Sequence, residues 1–118
     1  MQKHAVSFAI VLIVSSLFAK EAAAQTYCSG TINAVYLTSD GDVVLEGSWR
    51  GDYTEICNDQ GTFGGIDQVT CLSWYAAAVK AETAQSKVMV TYNNDGYTCN
   101  NLPTYANSIV PFYFMNTQ

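Results

Sequence analysis

Histidine, proline and basic residues are scarce in this chain of 118 residues. Its single histidine, His4, lies close to the start, and after residue 24 only Arg50, Lys80 and Lys87 carry a positive charge. Residues 25–118 therefore cannot form a Ser-His-Asp or Cys-His catalytic site or a histidine-ligated zinc site. Three scattered cations cannot form the basic stripe that a phosphate backbone requires, so we expect no nucleic-acid partner.

The usual phosphate-binding patterns G-x-x-x-x-G-K-[ST] and G-x-G-x-x-G are also missing, and the sequence predicts no cofactor and no metal site. Glu46, Asp52 and Glu55 fall on neighbouring predicted strands, and paired carboxylates can hydrolyse glycosidic bonds. Acidic residues on such strands are more often solvated surface, so we expect no enzyme, with a small hydrolase using Glu46 as the alternative.

The first 24 residues have the pattern of a secretory signal peptide. A short positively charged start precedes the apolar run 5–19, which is too short to span a bilayer, and Ala22-Ala23-Ala24 supplies a cleavage site. Cleavage there leaves 94 residues, 25–118, which is enough for a single small domain. We expect a protein that is secreted or periplasmic.

All four cysteines, Cys28, Cys57, Cys71 and Cys99, follow the predicted cleavage site. Cys28 lies near the new N-terminus, but Gln25-Thr26-Tyr27 before it does not form a lipobox, so we expect no membrane anchor after cleavage. In an oxidising compartment an even number of cysteines indicates disulfides, and four cysteines allow three pairings.

Apolar periodicity and turn signals predict a mainly β domain with the element order β-β-β-α-β-β. A D-G turn at Asp40-Gly41 separates the first two strands. The helix carries one apolar face at spacings of three and four, formed by Ile66, Val69, Leu72, Ala76 and Val79. The predicted strands are 30–39, 43–49, 53–57, 87–92 and 109–115, and the helix runs from residue 66 or 67 to about residue 85.

Five strands with a helix between the third and the fourth have the order of the OB-fold, a partly open Greek-key barrel. In that barrel the first strand pairs antiparallel with the fourth, which predicts a Cys28–Cys99 disulfide. Cys57 at the end of the third strand and Cys71 early in the helix then form the second disulfide. Pro111 predicts an edge position or a bulge in the last strand.

Four short motifs suggest a family: Ser29-Gly30, Glu46-Gly47, the cysteine before an aromatic-containing helix, and the V-x-V-x-Y pattern of Val88, Val90 and Tyr92. They resemble the B subunit of subtilase cytotoxin and its relatives in pertussis-like and typhoid-like toxins. Those toxin subunits form pentameric rings and bind sialylated glycans. The chain is also similar to small secreted bacterial OB-fold proteins that have a C-S-G opening and a C-x-x-W helix.

By position, the resemblance implies that Ser29 and Tyr92 contribute to a glycan site, with Glu46 as a weaker candidate. Tyrosines such as Tyr97 and Tyr105 in the long loop suit stacking on sugar rings. We therefore expect an OB-fold binding protein that recognises a glycan or another polar extracellular ligand and that oligomerises, as a pentamer if it is toxin-like. The alternative is a monomeric periplasmic interaction or inhibitor protein whose loop 93–108 docks into a partner.

Overall fold

The described residues form two three-stranded antiparallel sheets and one α-helix. A computed structural model describes residues 25–93 and 96–117, and the predicted signal peptide lies outside the described residues. The first sheet has the strand order β1-β5-β6 and the second the order β2-β3-β4. The bounds are β1 Thr26–Gly30, β2 Ile32–Leu37, β3 Asp42–Gly47, β4 Tyr53–Asn58, α1 Gln68–Ala84, β5 Val88–Tyr92 and β6 Tyr113–Asn116, with a short 3-10 helix at Cys99–Asn101.

The predicted first strand, residues 30–39, is wrong because the chain forms two strands here, β1 and β2. β1 pairs with β5 in the first sheet, whereas β2 pairs with β3 in the second. Between them, the Thr31 N–H donates to Ser48 Oγ at 3.1 Å, and the Thr31 carbonyl accepts from the Ser48 N–H at 2.9 Å. The chain therefore passes from one sheet to the other at Thr31, and the described residues contain six strands where five were predicted.

The second sheet is built from two hairpins. In the first, the predicted Asp40-Gly41 turn is present: Gly41 has a φ of +90° and its N–H donates to the Thr38 carbonyl at 3.0 Å. Glycine adopts this left-handed backbone without the steric cost that a Cβ would bring. The second hairpin turns just after Gly47, so β3 ends two residues before the predicted end at Trp49.

α1 begins and ends close to its predicted bounds because both ends are capped. The Asp67 side chain accepts a hydrogen bond from the Thr70 N–H at 2.7 Å, which satisfies a free donor of the first turn and lowers the pKa of Asp67. At the other end Gln85 adopts the left-handed conformation and its N–H donates to the Glu82 carbonyl at 3.3 Å.

The face that α1 buries differs from the predicted apolar face. Val69 is 77% exposed, and Leu72 and Val79 are also exposed. The helix instead packs on the sheets through Cys71, Ala78 and Ala81, with Trp74 and Tyr75 partly buried beside them. The Cys57–Cys71 disulfide fixes this orientation, and the small alanine side chains let the helix approach closely.

Both disulfides join the cysteines expected from the strand pairing. Cys28 at the centre of β1 bonds to Cys99, 71 positions along the chain, and Cys57 in β4 bonds to Cys71, 14 positions along. Each disulfide belongs to its own cluster of buried side chains. The Cys57–Cys71 bond lies in the cluster beneath α1, and the Cys28–Cys99 bond lies in the cluster on the inner face of the first sheet. Trp49 and Phe114 pack against both clusters and so connect the two parts of the core.

The last strand, β6, is shorter than predicted and lies at the edge of the first sheet. It spans Tyr113–Asn116 instead of 109–115, because the segment before it runs irregularly past Pro111. Proline has no N–H to give to a strand ladder. The next residue, Phe112, donates its N–H to the Thr91 carbonyl at 2.6 Å, and regular pairing with β5 begins one residue later.

Candidate binding site

Ser29 and Tyr92, predicted to share a glycan site, lie in paired strands but on opposite faces of the first sheet. Tyr92 is opposite Thr26 in the ladder, and Ser29 is opposite Met89. Because side chains alternate between the two faces, the Ser29 side chain is exposed, whereas Tyr92 points into the core and is 1% exposed. The two side chains therefore do not line the common pocket that was expected from the sequence.

The Tyr92 hydroxyl is enclosed within the core. Burial raises the pKa of Tyr92 to about 12, and the nearby Thr54 hydroxyl acts in the opposite direction. The Thr54 hydroxyl itself donates to the Leu45 carbonyl at 3.5 Å, and the described residues place no partner within hydrogen-bonding geometry of the Tyr92 hydroxyl. Tyr92 is a packing residue here and is not accessible to a surface ligand.

Glu46, the third predicted residue, belongs to a different surface. It lies in β3 of the second sheet, directly opposite Ala34 of β2 and Tyr53 of β4. By strand alternation, these residues project from the face of the sheet that is opposite the buried Val43 and Leu45. The structure therefore separates Glu46 from both Ser29 and Tyr92 and brings it beside a group of tyrosines.

Three tyrosines form a row on this outer face. The ring centroids of Tyr36 and Tyr53 are 5.7 Å apart, and those of Tyr53 and Tyr105 are 6.0 Å apart. Tilted rings at these separations attract one another and hold a defined arrangement. Tyr36 is 39% exposed and Tyr105 is 53% exposed, so the row is open to solvent. We call these three rings, with the carboxylates of Glu46 and Asp52, the tyrosine face.

Each carboxylate of the tyrosine face lies beside a phenol. The pKa of Tyr53 is raised by burial and then by the charge and hydrogen bonding of Glu46. The pKa of Tyr105 is raised by burial and then by the charge and hydrogen bonding of Asp52. Asp52 Oδ1 also accepts the Tyr53 N–H at 2.8 Å, which fixes the position of that carboxylate. The face thus combines aromatic surfaces, phenol hydroxyls and two negative charges.

Tyr105 is held on this face by its backbone, which belongs to the long loop before β6. Its N–H donates to the Tyr53 carbonyl at 3.0 Å, and its carbonyl accepts from Ser108 Oγ at 2.7 Å. Ser108 Oγ in turn accepts the Glu55 N–H at 2.9 Å, so the loop is attached to β4 at two points. Tyr105 has a φ of +52°, a conformation that is unfavourable for a bulky side chain.

A second pair of acidic groups lies on the same outer side of the second sheet. Burial, followed by hydrogen bonding to Asp42 and the charge of Asp42, raises the pKa of Glu55 from 4.5 to about 7. Asp42 also accepts a hydrogen bond from Asn58 Nδ2 at 2.7 Å. A carboxyl group with this pKa keeps its proton through mildly acidic conditions and can share it with Asp42 in a hydrogen bond.

Only part of this site could be predicted from the sequence. Tyr105 was predicted as a loop tyrosine suited to ligand binding, and Glu46 was a candidate through the family resemblance. Tyr36 and Tyr53 were missed because they belong to strands whose register the sequence does not specify. Tyr36 is opposite Val44, and Tyr53 is opposite Glu46, two residues further along β3. Alternation within each strand identifies the outward residues, whereas only the register shows that the two rings are neighbours.

Other features of the described residues offer less chemistry. A shallow cavity of about 280 Å³ lies at the end of α1, lined by Lys80, Ala81, Ala84, Ser86 and Asn116. Within residues 25–93 and 96–117, no cluster of three or more His, Cys, Asp or Glu side chains could hold a metal ion. In the same ranges, no helix has the length and apolar character needed to cross a membrane.

Comparison with models of protein families, with curated proteins and with solved structures finds no match to this chain.

Proposed function

We propose that this protein is an extracytoplasmic binding domain whose recognition surface is the tyrosine face. The observation that carries the proposal is the open row of Tyr36, Tyr53 and Tyr105 with carboxylates beside two of its phenols. Tyrosine provides a large contact area with few rotatable bonds, so binding costs little side-chain entropy. The two disulfides support an oxidising compartment and hence a secreted or periplasmic location.

The ligand expected from this surface is polar and not anionic. Residues 25–118 contain nine acidic and three basic side chains, a net charge of −6, and two of the acidic groups belong to the tyrosine face. A neutral glycan fits such a surface because sugar rings stack on tyrosines while carboxylates accept hydrogen bonds from hydroxyl groups. A sialylated glycan would bring a further negative charge close to Glu46 and Asp52, so we expect it to bind more weakly than a neutral one.

Two observations support binding without catalysis. Residues 25–118 contain no histidine to serve as a general base near neutral pH. Glu55, which has the raised pKa that a glycosidase acid needs, is hydrogen-bonded to Asp42. The two carboxyl groups of a glycosidase stand about 5 Å or more apart, with the sugar between them. Two carboxyl groups close enough to share a hydrogen bond are nearer to each other than this spacing.

We further propose that the two sheets are parts of one open barrel of the OB type, as in toxin B subunits. Counting β1 and β2 as one bent strand gives five strands, and the antiparallel pairing of β1 with β5 agrees with that topology. An isolated parallel bridge between Thr54 and Tyr105 supports a connection between β4 and the segment before β6. An experimental structure in which β4 and that segment separate would contradict this proposal.

A panel of neutral and sialylated glycans tests the proposed function. We expect neutral glycans to bind the wild type and to lose affinity with Tyr36→Ala and Tyr105→Ala. The matched control is Tyr27→Ala, which removes a tyrosine that is 55% exposed on β1 of the other sheet. Ser29→Ala and Tyr92→Phe are expected to bind like the wild type. Loss of binding in Tyr27→Ala alone would place the site on the first sheet and contradict the proposal.

The second candidate function is a monomeric interaction or inhibitor protein. It is favoured by Tyr105, which brings the long loop onto the tyrosine face and would let a protein partner contact both. A toxin-like ring would instead need a subunit interface, for which Val69, Leu72 and Val79 of α1 are among the exposed apolar residues. Light scattering distinguishes the two, because a stable pentamer supports the toxin-like role and a monomer at high concentration supports the interaction protein.

A further inference from the structure

The tyrosine face has the features of a site for positive charge. Phenol rings attract cations through their faces, and the attraction is strongest for an ammonium or guanidinium group within about 6 Å of the ring centroid. Glu46 places a negative charge beside the Tyr53 ring, and Asp52 places one beside the Tyr105 ring. Arg50 is the basic residue nearest to Asp52 along the chain. Its Nε donates to the Leu102 carbonyl at 2.9 Å, which orients the guanidinium group toward the long loop before β6.

The spacing of the Tyr53 and Tyr105 rings is close to the spacing of side chains along an extended polypeptide. The ring centroids of Tyr53 and Tyr105 are 6.0 Å apart. In an extended chain, side chains at positions i and i+2 point to the same side and are separated by about 6.4 to 6.8 Å. One basic side chain can therefore lie against Tyr53 and Glu46 while the next but one lies against Tyr105 and Asp52.

We propose that the tyrosine face binds an extended segment of a partner protein that carries two basic residues at positions i and i+2. The proposal rests on the proposed function and adds a cationic class of ligand to the neutral glycans proposed for the same surface. Charge complementarity identifies the occupant, because residues 25–118 have a net charge of −6 and two carboxylates lie within the face. The exposure of Tyr36 and Tyr105 makes the surface open enough for a chain to lie across it.

Calorimetry with synthetic peptides tests the proposal. The probe is a ten-residue peptide of glycine and serine with arginines at positions 5 and 7, and its controls carry citrulline at both positions or arginines at positions 5 and 6. We expect the first peptide to bind at least about tenfold more tightly than the citrulline peptide, and severalfold more tightly than the peptide with adjacent arginines. Raising the salt concentration should weaken its binding, because the charges are exposed.

Two conservative variants assign the charges. Glu46→Gln and Asp52→Asn are each expected to weaken binding of the arginine peptide roughly threefold to tenfold, since each removes one charge and keeps the shape. Glu82→Gln on α1 removes the same charge elsewhere and should stay within about twofold of the wild type. Thermal unfolding of each variant establishes that it is folded before its affinity is compared.

Four results would overturn the inference. Equal binding of the arginine and citrulline peptides would exclude recognition of charge, and equally tight binding of free methylguanidinium would exclude a polypeptide ligand. Binding of neutral glycans to the tyrosine face, without binding of the arginine peptide, would refute the inference and leave the proposed function standing. Absence of binding to both ligand classes would contradict the inference and the proposed function together.

Discussion

The carboxyl group of Glu55 on β4 lies within hydrogen-bonding reach of the carboxyl group of Asp42 on the neighbouring strand β3. Burial comes first among the causes that raise the pKa of Glu55 from 4.5 to about 7, and the hydrogen bond and charge of Asp42 follow. The backbone around this pair is also fixed, because the Glu55 N–H donates to Ser108 Oγ at 2.9 Å. The strand residue that carries this carboxyl group is thus also attached to the loop that carries Tyr105.

The raised pKa of Glu55 predicts that the free energy of unfolding falls as the pH rises from about 4.5 to about 7. The folded protein holds the Glu55 proton more tightly than the unfolded chain across this range, so proton loss favours unfolding, and the effect is complete above the folded pKa. Because Glu55 is partly solvated, we expect a change on the order of 1 kcal/mol. Thermal unfolding at pH 5 and pH 8 measures it.

Glu55→Gln is the matched variant for this pH effect, because its amide can donate to Asp42 and cannot ionise. It should unfold close to the wild type at pH 5 and at a higher temperature than the wild type at pH 8. Glu82→Gln, on α1 and away from this pair, serves as the control and should keep the wild-type pH profile. A wild-type profile in Glu55→Gln would show that another group causes the pH dependence.

The two disulfides are expected to contribute unequally to stability. The chain-entropy model gives about 3 kcal/mol for the 14-residue separation of Cys57 and Cys71 and about 4 kcal/mol for the 71-residue separation of Cys28 and Cys99. Urea unfolding of the double variants Cys57→Ala/Cys71→Ala and Cys28→Ala/Cys99→Ala compares them. A smaller loss on removing the long-range bond would contradict the entropic origin of this difference.

The sequence was sufficient for features with a local cause. The Asp40-Gly41 turn, the capped helix and the β4 strand lie close to their predicted positions, because each depends on neighbouring residues. The pairing of Cys28 with Cys99 also followed, since it required only that the first strand lie beside the strand after the helix.

Features that depend on non-local packing were missed. The helix was expected to bury the face that includes Val69, yet the disulfide at Cys71 turns the opposite alanines toward the sheets. Similarly, Ser29 and Tyr92 lie in neighbouring strands, but the alternation of side chains places them on opposite faces of the sheet. Tyr36 and Tyr53 meet only through the register of β2, β3 and β4, which no periodicity within one strand can specify.

Tyr105 combines an unfavourable backbone with an exposed ring, which predicts a separation of stability from binding. Tyr105→Gly and Tyr105→Ala both remove the ring contact with Tyr53, and only glycine relieves the left-handed φ of +52°. We expect the glycine variant to be about 1 kcal/mol more stable than the alanine variant, while both lose ligand binding equally. Urea unfolding and calorimetry measure the two quantities. Equal stabilities would mean that the loop relaxes to another conformation.

The approach of Trp49 to Gly47 gives a final prediction about the core. A Cβ built at Gly47 collides with the six-membered part of the Trp49 indole, which packs against both clusters of buried side chains. The φ of Gly47 is not in the positive range, so the constraint at this position is steric and does not come from the backbone. Gly47→Ala should therefore lower the free energy of unfolding by about 1 to 3 kcal/mol and change the fluorescence of Trp49.

A double-mutant cycle with Trp49→Leu tests whether this ring is the cause. Leucine removes the atoms that the new methyl group would meet, so Gly47→Ala should cost much less in the Trp49→Leu background than in the wild type. The coupling energy between two residues in contact is about 0.5 to 3 kcal/mol, and we expect a value in that range. Gly51→Ala is a useful comparison, because a Cβ there meets no atom within 4 Å and its cost comes only from a φ of +69°. A coupling energy near zero would mean that the alanine methyl group at position 47 destabilises the strand itself and does not clash with Trp49. Trp49 could then connect the two parts of the core without a glycine at this position.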